Sequence, residues 1–192
     1  MKKIELEIVA LSHSITQSNS YAVVLGEVNG LRRLPIVIGG FEAQAIAVAL
    51  EKMKPTRPLT HDLMKNFMLA FNVELHEVII SDLQEGIFYS KLLCSNEVDT
   101  VEIDSRTSDA LALAVRFGCP IYIYENIFDI AGVDNPEKII NEEKPAASVS
   151  TGHEDLKQLD IEELERLLNE VLENEDYIRA IAIRDEINSR KK

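Results

Sequence analysis

Cysteine is nearly absent. Cys94 and Cys119 are too few for a disulfide framework, and no C-x-x-C spacing offers a zinc site. Eight glycines and six prolines in 192 residues exclude a collagen-like or low-complexity chain. No stretch approaches the ~20 apolar residues that a bilayer crossing needs. The start, Met1-Lys2-Lys3-Ile4-Glu5-Leu6-Glu7, is basic like a signal peptide but turns acidic where the apolar core belongs. We expect a cytoplasmic protein with reduced thiols and no membrane partner.

Positive charge is also scarce. Twenty basic residues face 33 acidic ones, for a net charge of -13. Proteins that grip nucleic acid by neutralising many phosphates are usually basic, so tight, sequence-blind coating of DNA is not expected. The deficit is uneven. Between Arg32 and Lys65 stand six basic residues (Arg32, Arg33, Lys52, Lys54, Arg57, Lys65) against Glu42, Glu51 and Asp62, so this segment is +3 and the remainder -16. A local anion-binding face remains open.

What is present is ordinary globular composition, 46% hydrophobic and 28% charged, at a length suited to one domain with an appendage or two small domains. Lys2 to Ser12 alternates apolar and polar, the period of a half-buried strand. Tyr21 to Val28 and Leu34 to Ile38 are two more β-like runs, and Asn29-Gly30 between them is a strong hairpin signal. After Gly39-Gly40, Phe41 to Met53 is apolar on every side and predicts a buried helix closed by Pro55 and Pro58. Thr60 to Phe71 reads as a second helix, with Thr60 as N-cap, Asp62 in the first turn, and Leu63, Phe67 and Phe71 at fourfold spacing. Strands are expected over Val73 to Ile80, Gly86 to Leu93 and Thr100 to Ile103. A polar turn, Asp104 to Asp109, then leads into an apolar helix, Ala110 to Phe117. Gly118 and Pro120 close it, and Ile121 to Tyr124 is a short buried strand.

Ala45-Ile46-Ala47-Val48-Ala49-Leu50 matches Ala110-Leu111-Ala112-Leu113-Ala114-Val115 at an offset of 65 residues. The same offset sets Ile36 to Ile38 on Val101 to Ile103. Either a strand-strand-strand-helix unit is duplicated, or two buried helices entered from strands merely look alike. The fold class is α+β in both cases: a largely antiparallel sheet with packed Ala-rich buried helices. Composition shifts near Asp134, and Asn141 to Asp155 has almost no large apolar residue. We therefore expect a first domain over residues 1–133, a linker over 134–155, and a C-terminal helical hairpin over 156–192. In the hairpin, Leu164, Leu167, Leu168, Val171 and Leu172 form one stripe, and Tyr177, Ala180, Ile181, Arg184 and Ile187 another. Two helices alone rarely bury enough surface to be stable, so the hairpin should dock on its own domain, a symmetry mate or another protein.

Three segments taken together carry a family likeness: Leu34-Pro35-Ile36-Val37-Ile38-Gly39-Gly40-Phe41-Glu42-Ala43, then Arg57-Pro58-Leu59-Thr60-His61-Asp62-Leu63, then Asp104-Ser105-Arg106-Thr107-Ser108-Asp109-Ala110. In order and spacing they resemble the bacterial and plant bifunctional nuclease family, over roughly Met1 to Val133. The resemblance implies a compact α+β domain, a homo-oligomer, and nuclease activity on RNA and DNA. It carries an activity class and not a mechanism. The tail, with Asp176-Tyr177, Ala180 and Ile183-Arg184-Asp185-Glu186-Ile187, resembles the UVR motif, a helical hairpin of excision-repair proteins that pairs with a second copy of itself. Ile178 departs from the acidic residue usual there. This likeness implies a protein partner, at Tyr177, Ile181, Arg184 and Ile187, more than it implies DNA.

Phosphodiester hydrolysis needs an activated water and positive charge beside the departing group, and carboxylate-held Mg²⁺ or Mn²⁺ supplies both. Acidic residues at strand ends and helix starts are the candidates: Glu42, Asp62, Asp104 and Asp109, with Glu42, Asp104 and Asp109 as metal ligands. His61 could serve as general base or as a ligand. Arg57 and Arg106, planar and always charged, could hold a phosphate. Each has a structural alternative. A carboxylate in a helix's first turn gains ~0.3–1 kcal/mol from the backbone dipole, and Asp104, Ser105, Thr107 and Ser108 are ordinary capping residues. Arg106 and Asp109 could simply pair. Two functions from different classes follow. One is a metal-dependent nuclease binding RNA or DNA weakly. The other is a non-catalytic oligomeric adaptor that recruits partners through its hairpin.

Overall fold

A computed structural model describes residues 1–13, 20–133, 156, 159–173 and 177–190, with the backbone alone at residues 13, 173 and 177–179. The chain divides into two compact units, Met1–Glu143 and Lys144–Lys192.

The first unit is built on a seven-stranded sheet. Its strands are β1 (Lys3–His13), β2 (Ser20–Glu27), β3 (Arg33–Gly39), β4 (Glu74–Gln84), β5 (Ile87–Ser95), β6 (Thr100–Arg106) and β7 (Ile121–Tyr124), in the spatial order β3-β2-β1-β7-β4-β5-β6. All neighbours are antiparallel except β4 and β7. The sheet is thus two three-stranded meanders joined through the short central β7, of which Ile121 and Ile123 are buried. Each meander leads into a helix, β3 into α1 (Gly40–Leu50) and β6 into α3 (Thr107–Phe117), and these helices pack on each other. The strand-strand-strand-helix order expected from the 65-residue offset is present in both halves.

The core lies where the meanders meet α1 and α3. Ala43, Ala45, Ile46, Ala47 and Val48 of α1 are buried, as are Ala110 to Ala114 of α3. Alanine on both helices lets the backbones approach closely, while Leu25, Leu34, Ile80, Leu92 and Ile123 fill the space beneath. α2 (Thr60–Ala70) packs on α3, and α4 (Glu125–Ala131), which the sequence reading did not anticipate, packs on β7 and β4. Phe128 of α4 is fully buried, with the Arg32 guanidinium 4.3 Å from its ring centroid.

Several local expectations are corrected. Asn29-Gly30 is not a two-residue turn: β2 and β3 are joined by the longer loop 28–32, closed by the Glu27 N–H donating to the Arg32 carbonyl at 3.1 Å and by the Arg32 guanidinium on the Glu27 carboxylate. The tight turn is Glu85-Gly86, with φ of 50° and 82°, set between the paired residues Gln84 and Ile87. The polar turn expected over Asp104 to Asp109 does not exist, because β6 runs through Arg106 straight into α3. α1 stops at Leu50, before either proline, with Lys52 at φ 52°. The N-cap of α2 is Leu59, not Thr60; the Asp62 carboxylate reaches back to accept the Leu59 N–H at 2.9 Å. Gly118, at φ 70°, ends α3 as expected.

The second unit contains α5 (Ile161–Glu173) and α6 (Tyr177–Arg190), which pack against each other. A reciprocal cap starts α5: the Glu163 N–H donates to Asp160, and the Asp160 N–H to Glu163, at 2.8 and 3.0 Å. Leu164, Val171, Ala180, Ile183 and Ile187 are buried. Arg190 binds the Leu156 and Leu159 carbonyls and so ties the end of α6 to the residues just before α5. The expected linker, 134–155, and the turn at 174–176 lie outside the described residues. No helix among the described residues is long and apolar enough to cross a membrane.

Candidate active site

The strand-to-helix junctions β3–α1 and β6–α3 place Glu42, Arg106 and Asp109 at the starts of two helices that lie against each other. Arg106 is the last residue of β6 and the N-cap of α3. Its Nε and Nη2 donate to the two Asp109 oxygens at 2.8 and 3.2 Å, and its Nη1 donates to Glu42 at 3.0 Å. The same Asp109 carboxylate meets His61 Nε2, from the first turn of α2, at 3.0 Å. Three helix starts therefore meet around the Arg106–Asp109 pair. The Arg106 side chain is 68% exposed, whereas Glu42, His61 and Asp109 are largely covered, at 24%, 15% and 29%.

Local sequence explains the geometry. A Cβ at Gly39 would lie 2.4 Å from Glu42 Oε2, so glycine makes room for that carboxylate to fold back beside the helix start. Thr107 is buried and its hydroxyl donates to the Phe88 carbonyl at 3.0 Å, while meeting Ser90 Oγ at 2.8 Å. This buried hydroxyl pair fixes the junction from which Arg106 projects.

Asp62, one residue beyond His61, does not join the cluster. It accepts from Arg116 Nε at 2.6 Å, near the other end of α3. Arg116, which the sequence reading passed over, also donates to the Ala45 and Ala112 carbonyls at 2.8 and 3.0 Å, and its own carbonyl accepts from Lys65. One nearly buried side chain thus pins α1, α2 and α3 together; its Nη2 is buried with no partner among the described residues. The only sequence-level signal was a basic residue in the last turn of an apolar helix. Such a residue reads as a dipole partner until its neighbours are known.

Electrostatics follows the pairing. Burial would raise the Asp109 carboxyl, but hydrogen bonds from Arg106 and His61 outweigh it and hold Asp109 below its ordinary range. Asp62 is likewise held low, with burial overcome by Arg116 and the Leu59 N–H. Burial raises both thiols, Cys119 to about 11, so neither cysteine is a nucleophile near neutral pH.

The remaining expected residues stand apart. Asp104 is exposed on β6, in register with Lys91 of β5, and makes no hydrogen bond to the cluster among the described residues. Arg57 is exposed in the connection between α1 and α2, where Lys52 and Lys54 are also exposed. In the hairpin, Ile187 is buried, Ile181 and Arg184 are half-buried, and the Tyr177 side chain lies outside the described residues.

This donor set does not fit a protein-held Mg²⁺ or Mn²⁺. Among the described residues no three His, Cys, Asp or Glu side chains group as metal ligands. Asp104 makes no hydrogen bond to the cluster among the described residues, and a cation already sits between the other two expected ligands, Glu42 and Asp109: the Arg106 guanidinium. What the cluster can do without an ion is hold a phosphate on the exposed guanidinium and transfer a proton through an imidazole oriented by a carboxylate.

The bifunctional nuclease domain matches this chain over residues 23–136, more than half its length and all of the cluster. The chain belongs to that family. An uncharacterized protein of Mycobacterium tuberculosis (strain H37Rv) is 42% identical over 120 residues, covering 62% of this chain and 71% of that protein. Bifunctional nuclease 1 of rice (Oryza sativa subsp. indica) is 26% identical over 97 residues, 49% of this chain and 29% of the rice protein. The bifunctional nuclease of Oryza minuta matches to the same extent.

Proposed function

We propose that this bifunctional nuclease domain cleaves phosphodiester bonds of RNA or DNA at the corner formed by Arg106, Asp109 and His61. The observation that carries the reading is the Arg106 guanidinium, exposed yet fixed by two carboxylates beside an oriented histidine, inside the segment that matches the family. Arg106 holds the phosphate and offsets the charge that develops on it. His61 moves the proton, and Asp109 fixes its ring and tautomer. Glu42 aims Arg106. Asp62 anchors the start of α2 to Arg116 and so positions His61 from outside the site. Lys52, Lys54 and Arg57 extend positive charge along the connection that precedes α2, which suits a few contacts to a nucleic-acid backbone and weak binding.

The test is cleavage of labelled single-stranded RNA and DNA by the full chain, with Mg²⁺, with Mn²⁺ and with EDTA. His61→Ala and Arg106→Ala should each lower the rate by roughly 10²-fold or more, and Asp104→Ala should leave it close to that of the unmodified chain. Cleavage that persists in both His61→Ala and Arg106→Ala moves the chemistry elsewhere. Loss of cleavage in EDTA would supply the divalent-ion dependence expected from the sequence.

A second reading is a non-catalytic adaptor whose UVR-like hairpin, residues 156–192, recruits a protein partner. The charge pairing favours it, since Arg106 already lies between two carboxylates and the net charge is -13. Absence of cleavage in every ionic condition, together with a partner bound by the full chain and lost on removing residues 156–192, is its signature.

A further inference from the structure

The fourfold apolar spacing of α2 does not face the core. Leu63, Phe67 and Phe71 are 63%, 62% and 65% exposed, and Met64 is 41% exposed; Met68 alone is buried among the residues of α2. Leu63, Phe67, Phe71 and Met64 fall within one arc of about 100° on the helix. The charged and titratable residues of α2 lie off that arc and are engaged within the unit, His61 on Asp109, Asp62 on Arg116 and Lys65 on the Arg116 carbonyl. The stripe is therefore uncharged from end to end, and so are its flanking residues Thr60, Asn66 and Ala70.

From this we infer that α2 is a self-association surface, and that its occupant is the α2 of a second copy of this chain. Three features select a second copy. Chains carrying -13 repel each other, so copies can meet closely only on an uncharged strip. Phe67 stands midway between Leu63 and Phe71, four residues from each. An antiparallel pair of these helices about a twofold axis then sets Phe67 against its own copy and Leu63 against the partner's Phe71, an isologous match from one stripe. Ridges at fourfold spacing are those that interdigitate when helices cross at about -50°. The area is also sufficient. Aromatic side chains bury about 150–250 Å² each, so the four exposed side chains offer roughly 400 Å² per copy. In homodimer interfaces about 65% of the area is apolar, so that core corresponds to roughly 1,200 Å² in total, the lower edge of stable complexes. The stripe points away from the α3-facing side of α2, so pairing leaves Arg106 accessible.

The experiment is sedimentation equilibrium of the full chain at micromolar concentration. The unmodified protein should sediment as two chains of 21.6 kDa each. Phe67→Glu should sediment as one chain with an unchanged far-UV circular dichroism spectrum, and so should Phe67→Lys. An equimolar mixture of the two should return to the two-chain mass, because opposite charges then meet on the axis. If Phe67→Glu does not fold, Phe67→Ala should still raise the dissociation constant roughly 10²-fold, since the loss is counted once from each copy. A single-chain mass for the unmodified protein, or a two-chain mass retained by Phe67→Glu, overturns the inference.

Discussion

Arg116 shows how one side chain off the candidate site can govern it. Its guanidinium is nearly buried, binds Asp62, and donates to carbonyls of α1 and α3. Removing it leaves those acceptors unpaired and costs about 3 kcal/mol, the scale of a broken, largely buried charged pair. Arg116→Met, which keeps the stem, should lower the urea midpoint accordingly. The pH dependence follows from Asp62, whose carboxyl is held below its ordinary 3.8 in the folded protein. A depressed carboxyl contributes stability above about pH 4 that is lost as pH falls through the folded value. Arg116→Met removes the principal force that lowers Asp62, so its acid-side loss of stability should be shallower than that of the unmodified chain in urea titrations between pH 3 and 6. Glu42, Arg106 and Asp109 were legible because helix-start chemistry and family motifs both marked them. Arg116 was not, because its role depends on helices that only the fold brings together. Asp104 looked equivalent to its neighbours because the strand was expected to end at Ile103, three residues too early.

Turn chemistry is where element-scale reading went furthest astray and where its correction is easiest to check. Asn29-Gly30 has the strongest hairpin letters in the chain, yet Gly30 has no positive φ, and the loop is instead closed by Arg32 on Glu27. The backbone that needs left-handed residues is Glu85-Gly86. Gly86→Ala should therefore cost about 1 kcal/mol, whereas Glu85→Asn should add roughly 0.5 kcal/mol, since asparagine tolerates that conformation better. Urea denaturation of the full chain measures both; an unchanged urea midpoint in Gly86→Ala would contradict the assignment. Apart from α4, which was not anticipated, strand and helix positions were readable from periodicity. α2 is the instructive exception: fourfold spacing announced a helix correctly, but spacing carries no information on whether the stripe faces the unit's own core or another molecule.

At the scale of the whole molecule, the sheet, the helices α1 to α4 and every member of the Arg106 cluster lie within Met1–Glu143. That unit has its own core, so residues 1–143 alone should fold and keep whatever cleavage the full chain has; a truncated chain that fails to fold would show the second unit to be part of the first unit's stability. The balance of charge sets the stronger constraint. The chain is acidic overall, and of the basic residues between Arg32 and Lys65, Arg32 is consumed by Glu27 and Asp129, and Lys65 by the Arg116 carbonyl. Lys52, Lys54 and Arg57 remain exposed, and with Arg106 they give four cations for phosphate. Single-stranded nucleic acid releases about 0.7 counterion per phosphate contact, so the logarithm of the binding constant should fall against the logarithm of salt with a slope of about -3. Fluorescence anisotropy of a labelled oligonucleotide on the His61→Ala chain, whose cleavage should be slower by roughly 10²-fold or more, measures that slope. Replacing Lys52, Lys54 and Arg57 together by alanine should reduce it to about -1 while the urea midpoint stays put. A slope unchanged by that triple replacement would mean that nucleic acid, if bound, lies elsewhere on this acidic surface.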